Sequence, residues 1–335
     1  MKALVVGGGS IGSRHLRNLK QLGVTALAVV EPDPQRRAAL CDELNINGFA
    51  TLDDGLAWSP DLAVLATPTH LHVSDALEIA SRHLPVFIEK PLSHNSDRLS
   101  ELAKVVERNA IVSLVGCNMR FHPGPSRVKQ LLADSAIGKV LFARLHTGSY
   151  LPGWRPGTDY RLNYAAREET GGGCILDCIH EIDLGRWYLG EVASVLCFAD
   201  HLSSLEIATE DVAILVCRHE PGAMSEVHLD YVQRTYERGC QIVGESGTIF
   251  WDFNSHEVRC YQASPGTWTT FPEPAAWNLN QMYLDEMQHF LDCVRERKPT
   301  VSPIPDAVTL MDVVFAAKQS ARSRCSVAIR KGVTA

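Results

Sequence analysis

The sequence predicts an α/β protein. A doubly wound parallel sheet comes first, followed by an α+β domain with one large open, mostly antiparallel sheet. Three observations carry this prediction. Over the first third, short apolar runs alternate with helical patterns, as strands and crossover helices do in a parallel sheet covered on both faces. After Phe121 long period-two stretches take over, separated by turn signals such as "EPGA" and "ESGT". Between the two, "NMRFHPGP" supplies the Pro and Gly of a boundary near residues 118–125. The predicted domains are 1–120 and 121–335, in keeping with a length prior of about two domains.

The elements follow in order. "KALVVGG" has the apolar run of a buried strand, and "IGSRHLRNLKQLG" the spacing of a helix closed by Gly23. "ALAVVEP", "LAVLATP", "PVFIEKP" and "IVSLVGC" complete five strands. The intervening helices are "DPQRRAALCDEL", "VSDALEIASRH" and "SDRLSELAKVVERN". Beyond the boundary, "PSRVKQLLADSAIG" and the segment after Gly173 are helical in pattern. "AILVCRH", "AMSEVHLDYV", "RGCQIVGE", "GTIFWDF" and "EVRCYQA" alternate as successive antiparallel strands. Two helices close the chain, "NQMYLDEMQHFLDCVRER" and a second from about Asp306 to Ser323.

Composition excludes several classes. Apolar residues make up 45%, charged residues 21%, and the formal net charge is −7. No Lys/Arg run offers a stripe for phosphate tracking, so nucleic acid is not an expected partner. No apolar stretch reaches the roughly 18 residues of a membrane span, and "MKALVVGGGS" lacks the plan of a signal peptide. The ten cysteines are scattered, without a CxxC. Cys174 and Cys178 are expected to be buried small hydrophobes rather than zinc ligands, and no metal is expected. These features predict a reduced, cytoplasmic protein.

"GGGSIG" fits G-x-G-x-x-G at Gly7, Gly9 and Gly12, between a strand and a helix. Glu31 ends the next strand, 19 residues after Gly12. This is the context of a Rossmann dinucleotide site, with Gly7, Gly9, Ser10, Ile11 and Gly12 as the cofactor turn. Glu31 favours NAD through the ribose hydroxyls, while Arg36 and Arg37 leave NADP open. "ATPTHLH" and "FIEKPLS" lie at C-terminal strand ends, the edge where such sheets bind ligands. Thr67, Pro68, His72, Glu89 and Lys90 are therefore candidate cofactor contacts, and Lys90 is placed to reach the nicotinamide end. His70 and His72 also suit helix-start or backbone-bonding roles.

In "GGGCILDCIHEIDLGRW" a helix starting after Gly173 would put Asp177 and His180 about 60° apart on one face. The glycines would admit a close neighbour to the backbone or supply a turn with positive φ.

Together "GGGSIGSRH", "ATPTHLH", "EKPLS", "GCNMRFHP" and "GGGCILDCIHEIDLGRW" resemble the Gfo/Idh/MocA family of NAD(P)-dependent oxidoreductases over nearly the whole chain. The resemblance implies oxidation of a secondary alcohol, or the reverse, on sugars, cyclitols and their derivatives. It also implies a homodimer or homotetramer assembled through the C-terminal sheet. By this similarity Lys90 takes the place of the family's EKP lysine and His180 that of the histidine beyond the glycines. Asp177 stands three residues before the histidine, where the family usually has four. Tyr160-Arg161 stands nearest the place of a family Trp-Arg pair, and Arg120 joins the substrate-binding candidates.

The chemistry fits these residues. The imidazole of His180 suits general base work at neutral pH. Lys90 can stabilise negative charge on the same oxygen, and Asp177 can orient the imidazole or bind a neighbouring hydroxyl. In "YLPGWRPGTDYRLNY", Tyr150, Trp154, Tyr160 and Tyr164 suit the faces and edges of a sugar ring, while Arg155 and Arg161 suit a carboxylate or phosphate. Packing within the domain or at a subunit interface is the alternative use of this segment. The expected activity is an NAD(P)-dependent dehydrogenase for a sugar or derivative, including sugar acids and nucleotide sugars. The alternatives are an NAD-dependent redox glycosidase and a cofactor-binding sensor without turnover.

Overall fold

The computed structural model describes residues 1–155 and 157–329, in two compact units. The first comprises Met1–Asn118 and Leu279–Thr309. Its strands are β1 (Lys2–Val6), β2 (Ala26–Val30), β3 (Asn47–Phe49), β4 (Leu62–Leu65), β5 (Val86–Ile88) and β6 (Ser113–Val115). They form one sheet in the order β3-β2-β1-β4-β5-β6. All neighbours are parallel, as predicted. The strand order reverses between β1 and β4, which is where a doubly wound sheet opens a crevice for ligand. Strand β3 was not among the five predicted. Two of its three residues are Asn and Gly, which strands avoid, and its pairing with β2 at the sheet edge supplies what propensity does not.

Helices α1 (Ser10–Gln21), α2 (Pro34–Leu44), α3 (Leu52–Ala57), α4 (His72–Ser81) and α5 (Leu99–Arg108) connect the strands. Helix α2 starts as its sequence dictates. Asp33 caps it by accepting from Arg36 N, and Pro34 follows in the first turn. The core joins Val5, Val29 and Val64 of the sheet to Leu16 and Leu19 of α1. Met287, Phe290 and Leu291 of the helix Leu279–Glu296 complete it. The rings of Phe87 and Phe290 meet edge to face, 5.8 Å between centroids. The first unit is thus built from two stretches of chain far apart in sequence.

The second unit comprises Met119–Asn278 and, among the described residues, 310–329. It contains α6 (Pro123–Ala133), β7 (Val140–Gly148), α7 (Cys174–Asp177) and α8 (Ile179–Leu189). The remaining strands are β8 (Val192–Asp200), β9 (Val212–His219), β10 (Met224–Asp230), β11 (Glu237–Gly244), β12 (Gly247–Asp252), β13 (Glu257–Gln262), β14 (Thr267–Pro272) and β15 (Val327–Ala328). They form a nine-stranded sheet in the order β14-β13-β12-β11-β7-β10-β9-β8-β15. Neighbours are antiparallel except β7 and β10, which run parallel. The alternating stretches were read as a simple antiparallel succession. The parallel pair arises because β10 docks beside β7 only after a long excursion through α8, β8 and β9. Along β9, Ala213, Leu215 and Cys217 are buried while Ile214 and Val216 are exposed, so one face of the sheet carries the core and the other carries apolar side chains in the open. Among the described residues, no helix is long and apolar enough to cross a membrane.

Candidate active site

In the first unit the turn after β1 meets the requirements of a dinucleotide. Gly7 has φ +98°, and a Cβ there would meet Ala66 O at 2.6 Å. A Cβ on Gly12 would run into the carbonyl of Gly7, so α1 could not pack so closely on the strand. Gly9 is different. Its angles are ordinary (φ −67°, ψ −169°), and a Cβ there would meet nothing within 4 Å. The protein itself does not call for glycine at this position, and the space beside the turn is open. Helix α1 begins at Ser10, next to Ile11, with no side-chain cap and no acid in its first turn. Its leading N–H groups are placed for a pyrophosphate.

Glu31, at the end of β2, is 4% exposed. Its Oε2 accepts from Gly8 N (2.9 Å) and Arg36 Nη1 (3.2 Å), and its Oε1 from Asp33 N (3.0 Å). Arg37 turns inward as well, donating to the carbonyls of Glu31 (2.5 Å) and Pro32 (3.2 Å). Both arginines that could serve a 2′-phosphate are thus tied to the Glu31 strand end. Replacing Glu31 with Ser removes a carboxylate that repels a 2′-phosphate and frees Arg36 to pair with one. The kcat/KM ratio of NADP to NAD should rise about tenfold or more, the scale of one hydrogen bond to a charged group. Steady-state kinetics with both cofactors measure this, and an unchanged ratio would remove Glu31 from cofactor choice.

Thr67 and Pro68 follow β4. Thr67 Oγ1 donates to Asp75 Oδ2 (3.1 Å), and Pro68 precedes the short turn Thr69–Leu71 that leads into α4. The ring of His72 is buried against two carbonyls, Thr67 O at 2.8 Å and Pro91 O at 2.9 Å. This is the backbone-bonding role foreseen for it, and it fastens the end of β4 to the residue after Lys90. Burial pushes the His72 pKa below its ordinary value, against the pull of the two carbonyls.

Glu89 is the residue that sequence reasoning understated. Its Oε1 lies 2.6 Å from Nε2 of His15, a fully buried side chain on α1. Its Oε2 accepts from Lys90 N at 3.3 Å. Burial alone would raise the Glu89 pKa, but the hydrogen bond and charge of His15, with Lys90, hold it below the ordinary carboxylate range. Lys90 is therefore fixed from both sides: Glu89 holds its amide, His72 holds the carbonyl of Pro91, and the Lys90–Pro91 peptide is cis. The one sequence signal of the His15 pairing was the histidine five residues into the first predicted helix.

In the second unit the predicted continuous helix is broken. Helix α7 ends at Asp177, Cys178 takes φ −90° and ψ 31°, and α8 resumes at Ile179. The two pieces answer to different partners. Asp177 Oδ1 accepts from Tyr164 OH at 2.9 Å, and Oδ2 from Tyr231 OH at 3.4 Å. In α8, Glu181 pairs with Arg238 at 2.8 Å, and Asp183 receives the fork of Arg120 at 2.5 and 2.9 Å. Burial lowers the pKa of Arg238, but the charges of Glu181, Tyr236 and Cys178 and the hydrogen bond to Glu181 together outweigh it and leave the guanidinium more firmly charged. Asp177 and His180 are both buried, at 5% and 7% exposure. Tyr231 is fully buried, and burial, with Asp177 nearby, pushes its phenol pKa well above the ordinary value.

The glycines before α7 serve the chain itself. A Cβ on Gly172 would meet Ala165 O at 2.5 Å, and Gly173 has φ +103° with Glu210 against it. Of the uses foreseen for them, the positive-φ turn occurs at Gly173, and the close neighbours at Gly172 and Gly173 are protein rather than substrate or nicotinamide. Cys174 and Cys178 are buried, and burial pushes the Cys174 thiol pKa well above its usual value.

The predicted substrate residues divide. Trp154 packs edge-on against Tyr231 (5.2 Å), and Arg155 lies over the ring of Tyr164 (5.7 Å), so both join the Asp177 group. Arg161 instead grips Asp159 (2.7 Å) and Glu206 (2.8 Å), and Tyr160 OH accepts from Glu206 N (3.1 Å). Arg120 is buried on Asp183. Arg161 and Arg120 hold the fold because acidic side chains meet them, and Tyr160 because the backbone N–H of Glu206 does. Tyr231, Arg238 and Arg234 were not foreseen. Each lies at or beyond a strand end, where period-two patterning says nothing of the neighbour.

Residues 1–117 match the oxidoreductase family with an NAD-binding Rossmann fold. Residues 126–250 match the GFO/IDH/MocA C-terminal domain. The chain is 25% identical to scyllo-inositol 2-dehydrogenase (NAD(+)) of Bacillus subtilis, covering 96% of this chain and 94% of that one. It is 26% identical to myo-inositol 2-dehydrogenase of Thermotoga maritima, covering 99% of each. Its fold is that of levoglucosan dehydrogenase solved with NADH, at a TM-score of 0.90 and 20% identity over 98% of this chain and 99% of that one. The two family matches, in this order and over most of the chain, place it in the Gfo/Idh/MocA family of NAD-dependent oxidoreductases, dehydrogenases acting on CH–OH groups.

Proposed function

We propose that the protein oxidises a secondary hydroxyl of a sugar or cyclitol, or reduces the corresponding ketone, with His180 and Lys90 handling the proton. NAD, when bound, takes up or returns the hydride. His180 accepts the hydroxyl proton as the carbonyl forms. Lys90, its backbone fixed by Glu89 and His72, stabilises the negative charge that gathers on the same oxygen. Asp177, held by two tyrosine hydroxyls, orients the substrate by accepting from a neighbouring hydroxyl.

The buried Asp177 between Tyr164 and Tyr231, three residues before His180, is the observation that carries this assignment. A sensor without turnover would have no use for a base beside such an acceptor. The inositol dehydrogenases that align along the whole chain support a polyol substrate. The test is net absorbance of NADH on a panel of cyclitols and sugars. Accumulation is expected; conversion of glycosides without it would favour the redox glycosidase, and no conversion at all the sensor. Exposed Phe198, Ile214 and Val216 on the open sheet face support self-association there. Sedimentation of the same sample should give a mass above one chain, and a single-chain mass would exclude it.

A further inference from the structure

Arginines near the Asp177 group are held in different ways. Arg120, Arg161, Arg186 and Arg238 each face a carboxylate: Asp183, Asp159 with Glu206, Glu191 and Glu181 respectively. Among the described residues no ion pair holds Arg155 or Arg234. Both are exposed, and among the described residues each lies over an aromatic ring instead. Arg234 is 3.7 Å from the centroid of Tyr150, and Arg155 is 5.7 Å from that of Tyr164.

One short segment carries both contacts. It begins with Tyr150 under Arg234, lays Leu151 N on Tyr231 O (3.0 Å), packs Trp154 on the Tyr231 ring, and ends in Arg155. Tyr231 and Tyr164 are the residues whose hydroxyls hold Asp177. Both guanidinium groups therefore adjoin the segment that packs on Tyr231, and Arg155 is separated from Asp177 by the width of one tyrosine.

Building on the oxidoreductase assignment above, we propose that Arg155 and Arg234 form a subsite for the anionic group, carboxylate or phosphate, of a charged sugar. Three physical points lead there. A guanidinium over an aromatic face keeps its in-plane N–H donors available, and that fork matches carboxylate and phosphate oxygens. The exposed Trp154 and the half-buried Tyr150 and Tyr164 beside it suit the apolar face of a sugar ring. The buried carboxylate of Asp177 repels an anion, so a charged sugar is driven to lie with its hydroxyls toward Asp177 and its charge toward the arginines. Arg234 is thus a specificity residue that the sequence did not reveal, and Arg161, neutralised by two acids, is not one.

The test uses the full-length protein loaded with NAD. Binding of glucuronate, glucose 6-phosphate and glucose is measured by calorimetry, and turnover of each by NADH formation. The charged sugars should bind more tightly than glucose, and glucuronate against glucose 6-phosphate tells carboxylate from phosphate. In R234L and in R155L the affinity for the preferred anion should fall about tenfold or more relative to that for glucose, the scale of a lost charge-assisted contact. That loss should shrink at high salt, where an exposed contact is already screened. R161L should leave the ratio where it is. Equal losses for charged and neutral sugars, or tighter binding of glucose by the unaltered protein, would overturn the subsite. Oxidation of neutral polyols would continue in that event. Absence of any turnover alongside anion-selective binding would instead count against the oxidoreductase assignment.

Discussion

Lys90→Met should lower kcat about a hundredfold or more while the protein keeps most of its affinity for NAD. The magnitude is that of removing one charged donor aimed at an oxygen that gains negative charge in the transition state. The surroundings make the test clean. The backbone of Lys90 is held by Glu89 through its amide, and the next residue by His72, so methionine removes the ammonium group without releasing the strand end. Methionine also keeps the length and apolar stem of lysine. Single-turnover kinetics would separate chemistry from binding, and calorimetry would report NAD affinity. A near-normal rate with normal NAD binding would remove Lys90 from the mechanism.

His180→Asn should lower the rate and also change the shape of its pH dependence. In the unaltered protein the oxidation rate should fall on the acidic side as the imidazole gains a proton, because an imidazolium cannot accept another. Asparagine does not titrate, so the acidic limb of kcat/KM should flatten. Burial of His180 on the first turn of α8, whose neighbours Glu181 and Asp183 are pinned by Arg238 and Arg120, keeps that helix in place when the ring is lost. Persistence of the wild-type acidic limb in the variant would assign the base to another group.

What could be read beforehand follows the range of the forces involved. The β1–turn–α1 unit was legible because each of its signals is local: an apolar run, glycines at fixed offsets and a helix start. Strand β3 was not, because Asn47-Gly48-Phe49 becomes a strand only by lying beside β2. Nor could alternation alone set β10 parallel to β7, since period two is the same in either direction. At the site, residue types were legible and partners were not. Lys90, Asp177 and His180 stood in motifs. The grip of His15 on Glu89 spans 74 positions, and the fates of Arg161 and Arg234 depended on which acid or ring each met. The break at Cys178 belongs to the same class, since it reflects tyrosines and arginines contributed from other elements.

The helix Leu279–Glu296 has a consequence for how the chain is made. Its Phe290 closes on Phe87, and its Met287 and Leu291 lie in the same cluster as Leu16 and Leu19. A nascent chain emerging from the ribosome has all six strands of the first sheet by residue 115, yet the core around Phe87 lacks Met287, Phe290 and Leu291 until more than 170 further residues have been synthesised. Folding domain by domain from the N-terminus, the usual order during synthesis, would leave this core incomplete. The nucleotide-binding half must wait, partly open, with an exposed aromatic surface of the sort that chaperones bind. It is sealed by nearly the last helix the ribosome delivers.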